Sequence, residues 1–231
     1  MILLVQNIER EGPGLLAEVL AEKGVGYTLT NSFDDKDLPD PRDYEGLILL
    51  GGPDSANDAS VKMERLLKLA AQALEAKIPT LGICLGLQVL VRAAGGQVVP
   101  CKNKELGFRN PRGKEYTIVL TPEGRRDEVF GVDEQIRVFQ LHGETVVLGP
   151  GMKLLGQGED CTNQLVRVAP GVYGIQSHIE LTSPMLERWL NEDDDLRTLD
   201  REKVWADWLE FREFYTKNGR TILGRWLGKR D

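Results

Sequence analysis

Histidine is the scarcest chemically useful side chain in this sequence: His142 and His178 are the only two, so any step that needs an imidazole must use one of them. Cysteine is nearly as sparse. Cys84, Cys101 and Cys161 form no CxxC pair and show no metal-ligand spacing, and an odd, small count suits a reduced compartment better than a disulfide framework. Long apolar runs are missing too. The opening stretch from Met1 to Val5 is interrupted at once by Gln6, Asn7 and Glu9, too soon for a signal peptide or a membrane span, so a cytoplasmic protein with no membrane partner is expected. Positive charge is outweighed: 29 Lys and Arg against 36 Asp and Glu leave a net charge of −7, which argues against a broad nucleic-acid footprint, although the tail from Arg220 to Arg230 is locally basic. There is no G-x-x-x-x-G-K-[ST] phosphate loop, no internal repeat and no low-complexity segment. What remains is a 231-residue globular composition with enough apolar residues for a real core, either one generous domain or one domain plus an appendage.

The first half alternates short β-like runs with helical patterns. Ile2 to Val5, Tyr27 to Thr30, Gly46 to Leu50 and Ile78 to Ile83 read as strands, and Leu15 to Glu22 and Leu85 to Ala94 as helices. Met63, Leu66, Leu67, Ala70 and Leu74 recur at helical spacing between the third and fourth strands. Such alternation implies right-handed βαβ units and a doubly wound, mostly parallel, three-layer α/β sheet. After Gly96 the pattern turns β-rich, with Tyr116 to Leu120, Gln135 to Phe139, Glu144 to Leu148, Leu165 to Val168 and Val172 to Gln176 reading as added antiparallel strands before a return to the main sheet. From Pro184 the chain is helical, broken by the acidic run Glu192 to Asp195. Arg201 to Lys217 carries Val204, Trp205, Trp208, Leu209, Phe211 and Tyr215. That apolar stripe packs on the chain's own core or offers a docking face to a partner; apolar helix stripes more commonly do the first. The expected division is a domain over 1–190 and a helical C-terminal extension over 191–231 packed on it.

The chemistry concentrates at Gly82-Ile83-Cys84-Leu85-Gly86, at a strand-to-helix junction. Small residues flanking a nucleophile permit a sharp turn that presents the side chain at the sheet's carboxyl end. A helix starting just after Cys84 aims its N-terminal dipole at the sulfur and favours the thiolate. Leu85 would add a backbone N–H for an oxyanion. A second piece, Gln176-Ser177-His178-Ile179-Glu180, follows a late β-run, so His178 and Glu180 would sit at a strand's carboxyl end as base and orienter. A third, Leu50-Gly51-Gly52-Pro53, ends the third strand. It is a tight turn, a second oxyanion N–H from Gly52, or both. Cys101 and Cys161 lack the small flanking residues of an elbow, and the acidic neighbours Glu159 and Asp160 should push the Cys161 thiol up.

Taken together, Gly-Gly-Pro, Gly-Ile-Cys-Leu-Gly-Leu-Gln and Gln-Ser-His-Ile-Glu resemble the signature of the class I glutamine amidotransferases, the triad type, over roughly residues 1–182. Glu11-Gly12-Pro13-Gly14, Glu105-Leu106-Gly107-Phe108 and Gln140-Leu141-His142-Gly143-Glu144 look most like its free-standing, GMP-synthase-like branch. The resemblance implies that Cys84 attacks the side-chain amide of glutamine to form a γ-glutamyl thioester. His178 would serve as base and then acid, Glu180 as its orienter, and Gly52 and Leu85 as the oxyanion hole. Gln88, with Gln140, Leu141, Gly143 and Glu144, would hold the substrate's α-amino and α-carboxylate ends. His142 would be a pocket or structural residue. The chain departs from the family at Ile179, where proline is usual, and at Leu87, where a polar residue is frequent and where glutamine affinity would be affected. No metal and no organic cofactor is expected.

Three functions compete on these residues. An amidotransferase would hydrolyse glutamine and pass ammonia to an acceptor or a separate synthase subunit, since no synthase block is present in the sequence. A γ-glutamyl peptidase or hydrolase would form the same thioester and finish with water. A catalytically silent binding or redox module retaining the fold is the reading of another class, and the intact Cys, His and Glu set stands against it.

Overall fold

The computed structural model of the protein describes residues 1–34, 36–131 and 135–228. Four parallel strands, β1 (Ile2–Gln6), β2 (Tyr27–Asn31), β3 (Gly46–Leu49) and β4 (Thr80–Ile83), alternate with α1 (Leu15–Glu22), α2 (Val61–Glu75) and α3 (Leu85–Ala93). A long strand β5 (Gln97–Gly107) follows, then β6 (Thr117–Leu120), the short helix α4 (Pro122–Arg126), β7 (Gln135–Arg137), β8 (Gln140–Val147), β9 (Lys153–Gln157), β10 (Leu165–Ala169) and β11 (Val172–Ile175). The helices α5 (Ser183–Glu192) and α6 (Arg201–Leu227) follow. Among the described residues, nine strands form one sheet in the order β2-β1-β3-β4-β11-β10-β9-β6-β7, while β5 and β8 pair as a separate antiparallel ribbon. The sheet is parallel from β2 through β11 and antiparallel beyond it.

Alternation along β1 shows why the sheet needs helices on both faces. Ile2 and Leu4 enter one core with Leu15, Leu16 and Trp226, whereas Leu3 and Val5 enter another with Met63, Leu66 and Leu90. Both faces of a parallel sheet must be buried, so every β1 residue from Ile2 to Val5 is apolar and inaccessible. Helix starts follow their caps: Ser60 Oγ accepts from Met63 N–H, and the Asp200 carboxylate accepts from Glu202 and Lys203 N–H at the head of α6.

The doubly wound architecture, the added antiparallel strands and the helical C-terminal region are present as expected. Differences lie in extent. α4 and β9 are additional elements, β5 runs to Gly107 where only Gln97 to Val99 reads as strand-like in the sequence, β8 begins at Gln140 instead of Glu144, and α6 continues ten residues past Lys217 to Leu227. Along α6, Val204, Trp208, Phe211 and Tyr215 are buried in a third apolar cluster with Trp189 and Phe139, which is packing on the protein's own core; Leu209 and Phe214 face outward. Of the basic tail, Arg220 is paired with Glu18 and Glu22, and Arg225 donates to the Gly131 carbonyl. Lys229 and Arg230 lie outside the described residues. No helix among the described residues is long and apolar enough to cross a membrane.

Candidate active site

β4 and α3 meet at Cys84, which sits between them with φ +51° and ψ −107°. Left-handed φ is unfavourable for a side chain with a Cβ and persists only where the surroundings enforce it. Here two close approaches do so. A Cβ on Gly82 would lie 2.5 Å from the Gly86 carbonyl carbon, and one on Gly86 would strike the Leu49 carbonyl oxygen of β3. Cys84 N–H donates to the Ile175 carbonyl at 2.8 Å, which ties the turn to the end of β11. α3 then runs away from the sulfur, leaving Cys84 at its N-terminus.

The segment after β11 brings the second group. His178 N–H donates to the Phe139 carbonyl at 2.9 Å, and the Tyr215 hydroxyl of α6 bridges the His178 carbonyl (3.1 Å) and Leu181 N–H (3.0 Å). Trp189 stacks edge-on to the imidazole with centroids 4.9 Å apart. His178 Nδ1–H donates to Glu180 Oε1 at 2.6 Å, and Glu180 Oε2 accepts from Ile179 N–H at 2.8 Å. Nε2 is buried with no partner at full hydrogen-bond geometry among the described residues, and Cys84 is the group that acts on the ring beside Glu180. Burial opposes charge on His178, but Glu180 and Cys84 outweigh it and hold the imidazole well above its ordinary pKa. Ile179, in proline's place, is buried.

Gly51 and Gly52 complete the floor. The point a Cβ would occupy on Gly51 is 2.8 Å from His178 Cε1 and 3.5 Å from Cys84 Cβ, with Glu11 Oε2 closer still; only a glycine leaves these groups together. A Cβ on Gly52 would lie 3.1 Å from Leu85 Cδ2, so the two candidate oxyanion residues are neighbours. A cavity of about 340 Å³ opens over Cys84, walled by Gly52, Gln88, Leu141, Gly143 and Glu144. Gln88 is anchored: its Nε2 donates to the Glu144 carbonyl at 3.2 Å and faces Gln176 Oε1 at 3.4 Å. Cys84 Sγ faces the Leu141 carbonyl at 3.6 Å, and Gln176 Nε2 approaches the sulfur at 3.8 Å. Gln140 is placed differently, buried with its Oε1 on His142 Nε2 at 3.1 Å and outside the cavity wall. Leu87 does not reach the cavity; it is buried in the core, its side chain close against Gly174 of β11.

Two features lie beyond the expected site residues. Glu11 lines the cavity, is 3% exposed, and has an unpartnered Oε2. Burial pushes its carboxyl up to about 7, with His178 and Arg10 acting in the opposite direction. Arg10 and Asp193 form a largely buried ion pair of 2.6 Å at the cavity wall, joining the first loop to the end of α5. The Cys161 thiol corrects an expectation. Cys101 beside it, with His142 and Thr145, favours its thiolate against burial and the charge of Glu105, and the same contact pushes the Cys101 thiol up.

The fold and this geometry define a doubly wound sheet with a cysteine elbow facing a His–Glu pair. The sequence model of the glutamine amidotransferase class-I family matches residues 14–191, and the chain belongs to that family. A crystal structure of a glutamine amidotransferase from Methylobacillus flagellatus is 26% identical, with a TM-score of 0.80 over 98% of this chain and 94% of that one. A glutamine amidotransferase from Thermotoga maritima, 24% identical, shares the fold with a TM-score of 0.85 over 98% of this chain and 97% of its own. Among curated proteins, the glutamine-hydrolysing GMP synthase of Paraburkholderia phymatum is 31% identical over 176 residues, 71% of this chain and 31% of that protein. The chain spans about a third of the length of the curated relatives it matches.

Proposed function

We propose that the protein cleaves the side-chain amide of glutamine through a thioester on Cys84. The observation that carries this reading is the buried Nε2 of His178, held by Glu180 through Nδ1, beside the elbow cysteine at the foot of a cavity. In the first half-reaction Cys84 passes its thiol proton to His178 Nε2, the sulfur attacks the γ-carbonyl carbon, and the oxyanion is received by the N–H groups of Gly52 and Leu85. Protonated His178 gives its Nε2 proton to the departing ammonia. It then takes a proton from water, which hydrolyses the thioester to glutamate. Glu180 keeps the ring in the tautomer and orientation both steps need. Gln88, Leu141, Gly143 and Glu144 form the wall for the amino-acid end of the substrate, with Gln140 acting from behind through His142.

The ammonia goes to an acceptor or a separate synthase subunit. Supporting an ammonia-consuming step, the curated relatives are glutamine-hydrolysing GMP synthases. The charged rim of the cavity, with Arg10, Lys104, Asp193 and Asp195, favours a second substrate class, γ-glutamyl peptides, whose leaving amine would extend toward it. Glutamate release from glutamine and from γ-glutamyl peptides, with Cys84→Ala as control, decides between them. Preference for glutamine supports the amidotransferase, and preference for peptides a self-sufficient hydrolase. Release that survives Cys84→Ala would overturn the assignment.

A further inference from the structure

Beside the candidate active-site cavity, whose wall His142 shares, three separate segments bring soft ligands to one point. Cys101 comes from β5, His142 from β8, and Cys161 from the loop between β9 and β10; the ligand atoms all lie within 4.8 Å of one another. We propose that these three side chains form a zinc site. A zinc ion with bonds of about 2.3 Å to sulfur and 2.0–2.1 Å to nitrogen spaces tetrahedral ligands about 3.5 Å apart for S and N, and about 3.8 Å for two sulfurs. Cys101 Sγ and His142 Nδ1 are 3.6 Å apart, already at that separation.

The surroundings are those of a metal-binding imidazole. His142 Nε2 faces two acceptors, Glu105 Oε2 at 3.0 Å and Gln140 Oε1 at 3.1 Å, which would keep the proton on Nε2 when Nδ1, on the side of Cys101, gives its lone pair to a metal. Nδ1 also lies 3.1 Å from the Glu144 carbonyl, a contact the metal would replace. Glu105 holds a second ligand through its other oxygen, Oε1, which accepts from Cys161 N–H at 3.2 Å. One buried carboxylate thus orients two of the three ligands, and Gln164 Nε2 fixes it in turn at 3.0 Å. Cys161 Sγ is within 3.1 Å of Thr145 Oγ1, whose hydroxyl can donate to the thiolate once the thiol proton is gone. Two thiolates and an imidazole favour zinc over harder divalent ions and leave the fourth position to water. Binding forms two S–metal bonds and one N–metal bond and releases the two thiol protons. Its structural effect would be to clamp the β5–β8 ribbon to the 158–164 loop, behind the Leu141–Glu144 wall of the cavity.

Cobalt(II) is the probe, titrated into reduced, chelator-stripped full-length protein. The expected result is one equivalent bound, with thiolate charge-transfer absorption and the intense visible bands of tetrahedral cobalt, bleached by one equivalent of zinc. Cys101→Ser and Cys161→Ser should each lose that spectrum while keeping the fold by circular dichroism, and Cys84→Ser should retain it. Zinc should raise the Tm of the unsubstituted chain by several degrees and leave Cys161→Ser unmoved. An octahedral, thiolate-free spectrum would overturn the proposal, as would an unchanged one in Cys161→Ser or its loss in Cys84→Ser. So would a Cys101–Cys161 disulfide in the isolated protein that takes up no metal after reduction.

Discussion

At the scale of single residues, two buried ionisable groups face the same glycine for opposite reasons. Burial opposes charge on His178, but Glu180 and Cys84 raise its pKa well above the ordinary value, and its Nε2 is what the proposed proton transfers use. His178→Asn should lower kcat by roughly 10²–10⁴-fold with the thermal midpoint little changed, because a positioned acid–base group contributes about that much. Glu180→Gln should fall less, since an amide still accepts from Ile179 N–H; equal losses in the two variants would show that Glu180 does more than orient. Glu11 is the opposite case, a carboxyl raised from 4.5 to about 7 by burial. Its stabilising contribution is full below 4.5, where folded and unfolded chains are both protonated. It falls as pH rises through 7, because the folded chain must then bury a charge that the unfolded chain exposes. Glu11→Gln should therefore raise Tm at about pH 8 and change it little near pH 4.5. The difference should be up to about 3 kcal/mol at roughly 1.4 kcal/mol per pKa unit. Chemical or thermal denaturation across that range checks it, and a constant offset at every pH would rule the linkage out.

At the scale of elements, the elbow depends on backbone contact more than on any side-chain bond. Gly86 lies against the Leu49 carbonyl, and Gly82 against Gly86, so Gly86→Ala should separate β3 from α3 and move Cys84 with it. A loss of about 1–3 kcal/mol, the range for overpacking a well-filled interior, is expected, together with loss of turnover despite an intact triad. Equilibrium denaturation alongside thioester trapping would separate the two effects. Tyr215→Phe tests the brace from α6: removing the hydroxyl leaves Leu181 N–H and the His178 carbonyl without it, a loss of about 1–3 kcal/mol. Elements with strong periodicity were legible in the sequence. The buried strands of the parallel half, the Gly82–Gly86 turn and α1 occupy nearly the expected residues because apolar runs and glycines report burial and close approach directly. β8 was partly hidden, since Gln140 and His142 are polar residues turned inward to a buried network, and α4 and β9 are too short to show a period.

At the scale of the whole molecule, what escaped the sequence is contact between distant segments. Glu11 reaches Gly51 and His178 only through the packing of the first loop on the sheet, and Cys101 and Cys161 become neighbours across sixty residues of chain. The relation of the last helix to the rest is of the same kind. The family match ends at residue 191, which invites a cut there, yet Ile222, Leu223, Trp226 and Leu227 share one core with Ile2, Leu4 and Leu16. Trp208, Phe211 and Tyr215 likewise share a cluster with Trp189, whose ring packs on His178. Fully burying an aliphatic or aromatic side chain is worth about 1.5–3 kcal/mol, so stripping the cover from Ile2, Leu4, Leu16 and Trp189 costs an amount comparable to the roughly 5–15 kcal/mol by which a domain is usually stable. We therefore propose that the helical extension is part of the folding unit, and that chain 1–190 alone should bind hydrophobic dye and melt without a cooperative transition. A cooperative transition in that fragment, with glutamate release intact, would show instead that the extension is an appendage on a self-sufficient domain.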